Sequence, residues 1–360
     1  MLDYNTVLDD LPVYQPGRPI EEVARELGMP VGSIAKLASN ENPLGPSASA
    51  LQAMKEAVER VNLYPDGNAY YLKKTISETY GLPSDQIILG NGSNELIEFV
   101  GHALLKPGTN IVVSQYCFAI YPIVARLFGA DVITVPAVDY GSDLAAMADA
   151  VNDETRILFL ANPNNPTGTL SASHEVLELI ERIPESVLVV IDEAYFEYLK
   201  EPLDLLPMVR EGRKNLMLMR TFSKIHGLAG LRLGYGLGSK ELITALEKIR
   251  QPFNANLVAQ SAAEAALLDR DHVVRSREHN QKELDRIEAC YREEGWEFVP
   301  SFANFTLLKV GDGAAVNQAL LSEGIITRPM AGYGLGEWLR ISIGTEAEND
   351  RCLAALKKIL

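Results

Sequence analysis

From about residue 87 onward, short apolar runs alternate with stretches in which apolar residues recur every three or four positions. The apolar runs include IILG, IVVS, DVITV, RILFL, SVLVVI and NLMLM, and the stretches between them include NELIEFVGHALL and VLELIERI. Strands that are apolar throughout are buried on both faces, which is typical of a mostly parallel sheet covered by helices. The pattern therefore predicts an α/β domain.

The last third of the chain has a different pattern. Residues 240–287 read as long helices interrupted at QPFNAN, and FVPSFANFTLLKV, IITRPM and LRISIG read as strands. The helix GAAVNQALLSEG lies between these strands, and a final helix begins at Glu346. This order predicts a smaller α+β domain.

Prolines and a glycine before residue 44 predict that the chain begins as an extended arm instead of a packed element. A chain of 360 residues also exceeds the size at which a single core stops growing. We therefore expect an arm and small-domain segment over 1–43, a large domain over 44–252 and a small C-terminal domain over 253–360.

Charge and cysteine content exclude several classes of protein. The net charge of -15 argues against a nucleic-acid partner, since such proteins display a basic face. Cys117, Cys290 and Cys352 are too far apart for a disulfide framework or a metal motif, so no metal is expected. The acidic start MLDYNTVLDD is not a signal peptide, and no apolar stretch reaches membrane-spanning length. We expect a cytoplasmic protein without a membrane partner.

Candidate ligand-binding residues follow the strands, because ligands of open α/β sheets bind beyond the carboxyl ends of the strands. In LGNGSNELIEF, glycines end a strand and a helix starts at about Ser93 to Glu95. Free amide groups and the helix dipole favour a phosphate there. An ordinary capped turn has the same pattern, and a dinucleotide fingerprint would need a third glycine in place of Glu95.

Two further strand ends carry polar side chains. ANPNNPTGT forms a rigid loop that holds Asn162 and Asn165 in a cleft. Asp192 follows five apolar residues in VLVVID, and a carboxylate there is costly without a cationic partner or ligand. The alternative for Asp192 is a helix N-cap.

A single lysine marks the fourth strand end, in TFSKIHGLAGLRLGYG. Most lysines are solvated surface charges. A lysine in partly apolar surroundings, however, can lose its proton and act as a nucleophile. Lys224, a phosphate site, a buried carboxylate and an asparagine loop on one rim together indicate pyridoxal phosphate as the cofactor.

Four segments carry a family resemblance: NPNNPTG, DEAYFEY, TFSKIHGLAGLRLGY and ASNENPLGPS. They resemble the fold-type I pyridoxal-phosphate aminotransferases, in order from YQPG to LRISIGTEAEND, and the histidinol-phosphate branch most closely. The resemblance implies transamination between histidinol phosphate and 2-oxoglutarate in histidine biosynthesis. An aromatic amino-acid aminotransferase and a threonine-phosphate decarboxylase of the same fold remain alternatives. A catalytically silent regulator that only binds the cofactor is a further one.

The resemblance also assigns cofactor roles by position. Lys224 is similar to the Schiff-base lysine that shuttles the proton, and Asp192 to the carboxylate that keeps the pyridinium nitrogen protonated. Tyr195 and Asn165 resemble the pair that hydrogen-bonds the ring oxygen O3'. The phosphate-binding residues by the same resemblance are Ser93, Asn94, Ser223 and Arg232.

Further residues are assigned to the ring face and to a second subunit. The stacking aromatic is Phe118 by spacing, with Tyr116 as the alternative. Tyr64, in LYPDG, resembles a tyrosine that reaches the phosphate of the neighbouring subunit, so a homodimer with a shared active site is implied. His226 has no role in the family and is read as a packed core residue.

Substrate contacts are implied at three positions besides Asn165. Arg340 resembles the family's fork for the α-carboxylate, which matches the bidentate geometry of arginine. Arg328 is similar to the residue that helps to hold the substrate's phosphate. Tyr14 resembles an arm residue that closes over the substrate.

Overall fold

A computed structural model describes residue 2 and residues 6–11 and 17–360. The α-helices are α1 (Ile20–Leu27), α2 (Ala48–Val58), α3 (Tyr70–Tyr80), α4 (Ser93–Leu104), α5 (Ile120–Leu127), α6 (Leu144–Asp149), α7 (Ser173–Arg182), α8 (Leu206–Arg210), α9 (Lys240–Glu247), α10 (Leu257–Leu268), α11 (Arg270–Glu293), α12 (Gly313–Ser322) and α13 (Glu346–Ile359). The strands are β1 (Ala35–Lys36), β2 (Ile87–Gly90), β3 (Asn110–Ser114), β4 (Asp131–Val135), β5 (Thr155–Ala161), β6 (Leu188–Asp192), β7 (Leu216–Thr221), β8 (Gly234–Gly238), β9 (Phe298–Val299), β10 (Phe305–Lys309), β11 (Ile325–Ile326), β12 (Arg328–Met330) and β13 (Leu335–Ser342).

A seven-stranded sheet in the order β2-β8-β7-β6-β5-β3-β4 forms the centre of the molecule. Strand β8 runs antiparallel to both of its neighbours, and the other strand pairs are parallel. Successive side chains of β6 enter two different cores: Val189 and Ile191 pack on one face, Leu188 and Val190 on the other. This confirms the mostly parallel sheet covered by helices on both faces, and it explains why its strands are apolar throughout.

A second, four-stranded antiparallel sheet has the order β12-β13-β10-β9. Its core contains Leu308, Leu339 and Ile341, which pack against apolar residues of α11, α12 and α13. Strand β1 pairs in parallel with β11 beside it. The predicted smaller α+β unit is therefore present, and the fold class is confirmed.

The expectation of an unpacked arm is wrong for residues 20–36. Helix α1 buries Val23 and Ala24, and Gly28 ends it in the left-handed conformation at φ 64°. The segment IEEVARELG has apolar residues at helical spacing and a C-terminal glycine, and both signals favour a helix. The neighbouring prolines lie outside the helix and only limit where it begins.

Packing of α10 bears on where the large unit ends. Ala259, Ala262 and Ala266 of α10 belong to the core on one face of the large sheet, and α10 lies against α2 and α3. Core packing therefore favours a boundary after Leu268, while the division into 1–43, 44–252 and 253–360 remains a prediction.

In the described ranges no helix has the length and apolar character needed to cross a bilayer. The same ranges hold no group of three or more side chains suited to a metal ion.

A buried ion pair ties β7 to the segment after β6. Arg220 Nε donates to Glu193 Oε2 at 2.7 Å, and the guanidinium carbon lies 3.8 Å from the centre of the Phe196 ring. A second carboxyl, Glu197, lies near the same arginine, and burial raises its pKa to about 7. One guanidinium thus faces two buried carboxyl groups, of which only Glu193 makes a close ion pair.

This asymmetry predicts different effects of two equivalent substitutions. Glu193→Gln should lower the free energy of unfolding by about 3 kcal/mol, because it leaves a buried guanidinium without its counter-charge. Glu197→Gln should change it by about 1 kcal/mol or less at pH 6, where this carboxyl is largely protonated. Urea unfolding of the cofactor-free protein measures both values, and equal losses would contradict the assignment of Glu193 as the charged partner.

Candidate active site

A cavity of about 210 Å³ opens at the carboxyl ends of β2, β5, β6 and β7. The small sheet closes its other side through β12 and β13. Eleven of the residues predicted from the sequence line it: Ser93, Asn94, Phe118, Asn165, Asp192, Tyr195, Ser223, Lys224, Arg232, Arg328 and Arg340. The strand-end argument and the family resemblance therefore converge on one place in the structure.

Lys224 is half-buried at the start of the connection between β7 and β8. Its Nζ donates to the carbonyl oxygen of Ser39 at 3.1 Å and lies 5.8 Å from the centre of the Tyr195 ring. Exclusion from water and the nearby Arg340 guanidinium lower the pKa of Lys224 to about 8. The turn that follows requires Gly227, at φ 70°, where a Cβ would lie 2.3 Å from the Gly45 oxygen. The amine is held in place, and it loses its proton at a lower pH than an ordinary lysine does.

The lowered pKa of Lys224 gives a testable pH dependence. A lysine with a pKa of about 8 is roughly one-tenth neutral at pH 7 and mostly neutral at pH 9. We expect the modification rate of Lys224 by trinitrobenzenesulfonate in the cofactor-free protein to rise with a midpoint near pH 8. Peptide mapping measures this rate, with exposed Lys214 as the internal reference. A midpoint above pH 10 would show that burial leaves the amine fully basic.

Asp192 ends β6 with a buried carboxyl group. The Tyr121 hydroxyl donates to Oδ2 at 2.7 Å, and the Ala194 amide donates to Oδ1 at 3.1 Å. Burial raises the pKa of Asp192, whereas both hydrogen bonds favour the charged form. A cationic ligand beside this carboxylate would offset the cost of its burial. Tyr121 was not predicted as a site residue, although it lies on the same short segment as Phe118.

A candidate anion site lies where α4 begins. Gly92 precedes the helix at φ 79°, and a Cβ there would lie 2.5 Å from Arg232 Nη2. A Cβ on Gly234 would lie 2.6 Å from the Ser93 amide nitrogen. The two glycines therefore allow a guanidinium and the helix start to approach each other, which suits a phosphate group. Arg232 Nη1 also donates to Ser223 Oγ at 3.4 Å.

Glu95 stands where a dinucleotide fingerprint would have glycine, and the structure gives it a local role. Its Oε2 accepts from the backbone amide of Asn91 and from the side-chain Nδ2 of Asn254, each at 2.6 Å. These bonds tie the loop before α4 to the segment after α9. Glu95 is therefore a structural residue of the anion site.

Two arginines face the cavity from the small sheet. Arg328 and Arg340 are directly opposite each other in the β12–β13 register. Arg340 Nη1 donates to Asn165 Oδ1 at 2.6 Å, and Nη2 donates to the Ala38 oxygen at 2.8 Å. A small molecule with two anionic groups would match this pair of guanidinium groups.

Tyr195 is buried between Lys224 and the small sheet. Burial raises its pKa to about 12, and its oxygen accepts from Asn40 Nδ2 at 2.9 Å. Asn40 was not predicted as a site residue. The only available signal was its position in ASNENPLGPS, a segment that also supplies Ser39.

The aromatic candidates separate in the structure. Phe118 lines the cavity and packs edge-on against Tyr121 with ring centres 5.7 Å apart. Tyr116 stacks on Tyr140 instead, at 6.0 Å. Tyr64 lies away from the cavity of its own chain, stacked on Phe253 at 4.7 Å and 82% exposed. Tyr14 lies outside the described residues.

The donors of the cavity fit pyridoxal phosphate. They provide an amine with a lowered pKa, a buried carboxylate and a phosphate-type anion site, all at one edge of the sheet. Asp192 is the most specific of these groups, because its buried carboxyl group has two hydrogen-bond donors but forms no ion pair with any residue that the structure describes. The protonated nitrogen of a pyridine ring would supply that charge.

The class I and II aminotransferase family model matches residues 33–356. The histidinol-phosphate aminotransferase of Akkermansia muciniphila is 49% identical over 352 residues, 98% of this chain and 97% of that protein. A second histidinol-phosphate aminotransferase, from Nitrosospira multiformis, is also 49% identical. The match covers 95% of this chain and 88% of that protein.

Solved structures agree with these sequence relatives. The histidinol-phosphate aminotransferase from Sinorhizobium meliloti, in complex with pyridoxal-5'-phosphate, superimposes with a TM-score of 0.87 at 29% identity over 99% of this chain and 97% of that one. An aspartate aminotransferase from Thermus thermophilus with maleate shares the fold at a TM-score of 0.84 and 20% identity, with both chains fully covered. This chain therefore belongs to the class I and II aminotransferase family, in the group that contains the histidinol-phosphate aminotransferases.

Proposed function

We propose that this chain is a pyridoxal-phosphate-dependent histidinol-phosphate aminotransferase of histidine biosynthesis. It exchanges an amino group between histidinol phosphate and 2-oxoglutarate, which yields imidazole-acetol phosphate and glutamate. The observation that carries the proposal is the single cavity containing the half-buried Lys224, the buried Asp192, an anion site and two neighbouring arginines. Sequence relatives of the same name cover nearly the whole chain and support the choice.

Bound pyridoxal phosphate supplies an electron sink for negative charge that develops on the substrate carbon. Nζ of Lys224 would hold the cofactor covalently and, when free, would carry a proton between the two reacting carbons. The lowered pKa of Lys224 suits both tasks. Asp192 stabilises a protonated ring nitrogen, and the Tyr121 hydroxyl helps to keep the carboxylate charged.

The remaining predicted residues would bind and orient. Tyr195 and Asn165 donate to the ring oxygen, and Phe118 packs on the ring face. The phosphate is bound by the start of α4 and by side chains beside it: Ser93, Asn94, Ser223 and Arg232. These roles rest on the positions of the side chains around the cavity and on the family resemblance.

The paired arginines support the substrate. Glutamate carries two carboxylates, and histidinol phosphate carries a phosphate ester, so both amino donors present anionic groups to Arg340 and Arg328. A phosphate monoester carries up to two negative charges on three terminal oxygens and can bind both guanidinium groups, whereas the single carboxylate of an aromatic amino acid carries one charge. The adjacent placement of the two arginines across β12 and β13 therefore favours the phosphorylated substrate. Tyr14 lies outside the described residues, and its role in closing over the substrate is proposed from the family resemblance alone.

A competition assay between histidinol phosphate and phenylalanine tests this choice. We expect the specificity constant for histidinol phosphate to be the larger one and to fall about tenfold or more in Arg328→Met, because a charge-assisted contact is lost. A larger specificity constant for phenylalanine would favour the aromatic aminotransferase instead. Release of carbon dioxide from threonine phosphate would favour the decarboxylase, and cofactor binding without any turnover the silent regulator.

We also propose a homodimer, supported by an exposed apolar surface around Tyr64. The surface consists of Val61, Leu63, Tyr64, Pro65, Pro252, Phe253, Leu257 and Val258. Leu63 is 61% exposed and Phe253 44% exposed, although both are apolar. A second copy of the chain would cover this surface and bring Tyr64 toward the neighbouring cofactor phosphate.

We also propose that the protein is located in the cytoplasm, which is supported by its three cysteines without disulfides.

The dimer gives a further prediction. Leu63→Asp should weaken self-association at least about 100-fold, because a buried leucine contributes about 1.5–3 kcal/mol and a twofold interface contains it twice. Sedimentation velocity measures this change. Leu177→Asp, on the exposed face of α7, is the matched control and should leave the dimer intact. A monomeric wild-type protein at micromolar concentration would contradict the proposal.

A further inference from the structure

The side chain of Asn40 connects the cavity tyrosine to the small sheet. Asn40 is 1% exposed, and its Nδ2 donates to the Tyr195 oxygen at 2.9 Å. Two hydrogen bonds join Asn40 to Ser342. The backbone amide of Asn40 donates to Ser342 Oγ at 2.8 Å, and the Ser342 hydroxyl donates to the side-chain Oδ1 of Asn40 at 2.9 Å. Three residues that are far apart in sequence thus form one buried chain of hydrogen bonds.

The placement of the Asn40 side chain sets the hydrogen-bond directions in this chain. Its Oδ1 faces Ser342 and can only accept the single hydroxyl hydrogen of that serine, and its Nδ2 faces Tyr195. Because an amide NH₂ group can only donate, the Tyr195 oxygen must accept, and its own hydrogen must point elsewhere.

Among the described residues, none accepts the hydroxyl hydrogen of Tyr195. In residues 17–360, no carbonyl or carboxylate oxygen makes a hydrogen bond with this hydroxyl. The nearest charged neighbours, Lys224 and Arg340, are donors, and both oxygens of Asp192 already accept from Tyr121 and Ala194. The hydroxyl of Tyr195 is thus available to an acceptor that enters the cavity.

We propose that Asn40 is a positioning residue that, held by Ser342, fixes Tyr195 as a hydrogen-bond donor to an oxygen of the bound cofactor. The inference rests on the proposed function, which supplies the cofactor. It also explains the residue type, because Asn40 has φ 55°, a backbone region that asparagine tolerates better than most side chains.

The placement of Ser342 links this device to substrate binding. Ser342 lies two residues after Arg340 on β13, so both side chains project from the same face of the strand. One strand therefore holds both the arginine for the substrate carboxylate and the serine that orients Asn40. A displacement of β13 would therefore change the position of Tyr195 through two hydrogen bonds, one between Ser342 and Asn40 and one between Asn40 and Tyr195.

A double-mutant cycle between Asn40 and Tyr195 tests the proposal. Asn40→Gly removes the side chain, adds no charge and suits a positive φ. We expect it to weaken binding of pyridoxal phosphate to the cofactor-free protein about tenfold, as for one lost hydrogen bond. We also expect it to move the pH midpoint of the bound cofactor's visible absorption in the same direction as Tyr195→Phe. In a Tyr195→Phe background, Asn40→Gly should change neither quantity further.

Two additional variants separate positioning from stability. Ser342→Ala leaves Asn40 in place and should weaken cofactor binding in the same direction, so it replaces Asn40→Gly if that variant does not fold. Asn304→Ser removes the donor to the Asn40 and Glu41 carbonyl oxygens without touching Tyr195. It should lower stability in urea and leave cofactor affinity within about twofold.

The outcomes distinguish this inference from the proposed function. Equal losses of affinity from Asn40→Gly with and without the Tyr195 hydroxyl would show that Asn40 is only structural, and would overturn the inference. An unchanged affinity in Tyr195→Phe would overturn it too. A wild-type protein that develops no visible absorption with pyridoxal phosphate would instead refute the proposed function itself.

Discussion

Lys224→Ala should lower turnover by at least about 10⁴-fold, because it removes the covalent attachment of the cofactor and the group that moves the proton. The same variant should lack the visible absorption band of the lysine-bound cofactor. Steady-state rates with histidinol phosphate and the absorption spectrum measure the two effects. Nζ of Lys224 lies inside the cavity, and within the described part of the chain its one hydrogen bond goes to a backbone oxygen, so the substitution disturbs few other contacts.

Lys214→Ala is the matched control for this experiment. Lys214 is exposed just before β7, so its loss removes the same charge without touching the cavity. We expect wild-type rates and an unchanged spectrum from it. A purified Lys224→Ala protein with unchanged activity would exclude the proposed mechanism as a whole.

Asp192→Asn should lower kcat by about 10²–10³-fold while the cofactor remains bound. The substitution keeps the size of the side chain and an oxygen that can accept from Tyr121, but it removes the negative charge beside the ring nitrogen. Without that charge the side chain would no longer stabilise a protonated ring nitrogen, so the cofactor would withdraw electrons from the substrate less strongly. Single-turnover rates and the cofactor dissociation constant, measured on the same preparation, separate these effects.

Tyr121→Phe provides an intermediate case. It leaves the charge of Asp192 in place and removes one of the two hydrogen bonds that favour it, so we expect a loss of about tenfold. Wild-type rates in Asp192→Asn would mean that another group stabilises the ring nitrogen. A larger loss of kcat in Tyr121→Phe than in Asp192→Asn would show that the hydrogen bond from Tyr121 contributes more than the charge of Asp192.

Sequence reasoning grouped the residues of this cavity because they follow buried strands. Asp192, Lys224 and Asn165 each come just after an apolar run, and parallel strands bring such positions to one edge of the sheet. The large sheet is predictable for the same reason, since its strands are buried on both faces and read as continuous apolar segments. These are local signals that a single sequence contains.

Other features depend on contacts between distant segments and left no such signal. The hydrogen bonds from Asn40 to Tyr195 and Ser342 span 155 and 302 residues, and they exist only because the small sheet packs on the large unit. Tyr121 faces Asp192 through the packing of α5 on the sheet. The first helix was missed because nearby prolines outweighed its short periodic pattern, which the packing of Val23 and Ala24 stabilises.

The antiparallel pairing of β7 and β8 has a consequence for the connection 223–232. Thr221 lies opposite Gly234, and the Phe222 amide donates to the Leu233 oxygen at 3.0 Å, so strand pairing continues to both roots of this loop. Lys224 stands at one root and Arg232 at the other. The strand register therefore sets the separation between Lys224 and Arg232, which are proposed to bind opposite ends of the cofactor. Insertions beside either residue should change that separation and weaken cofactor binding.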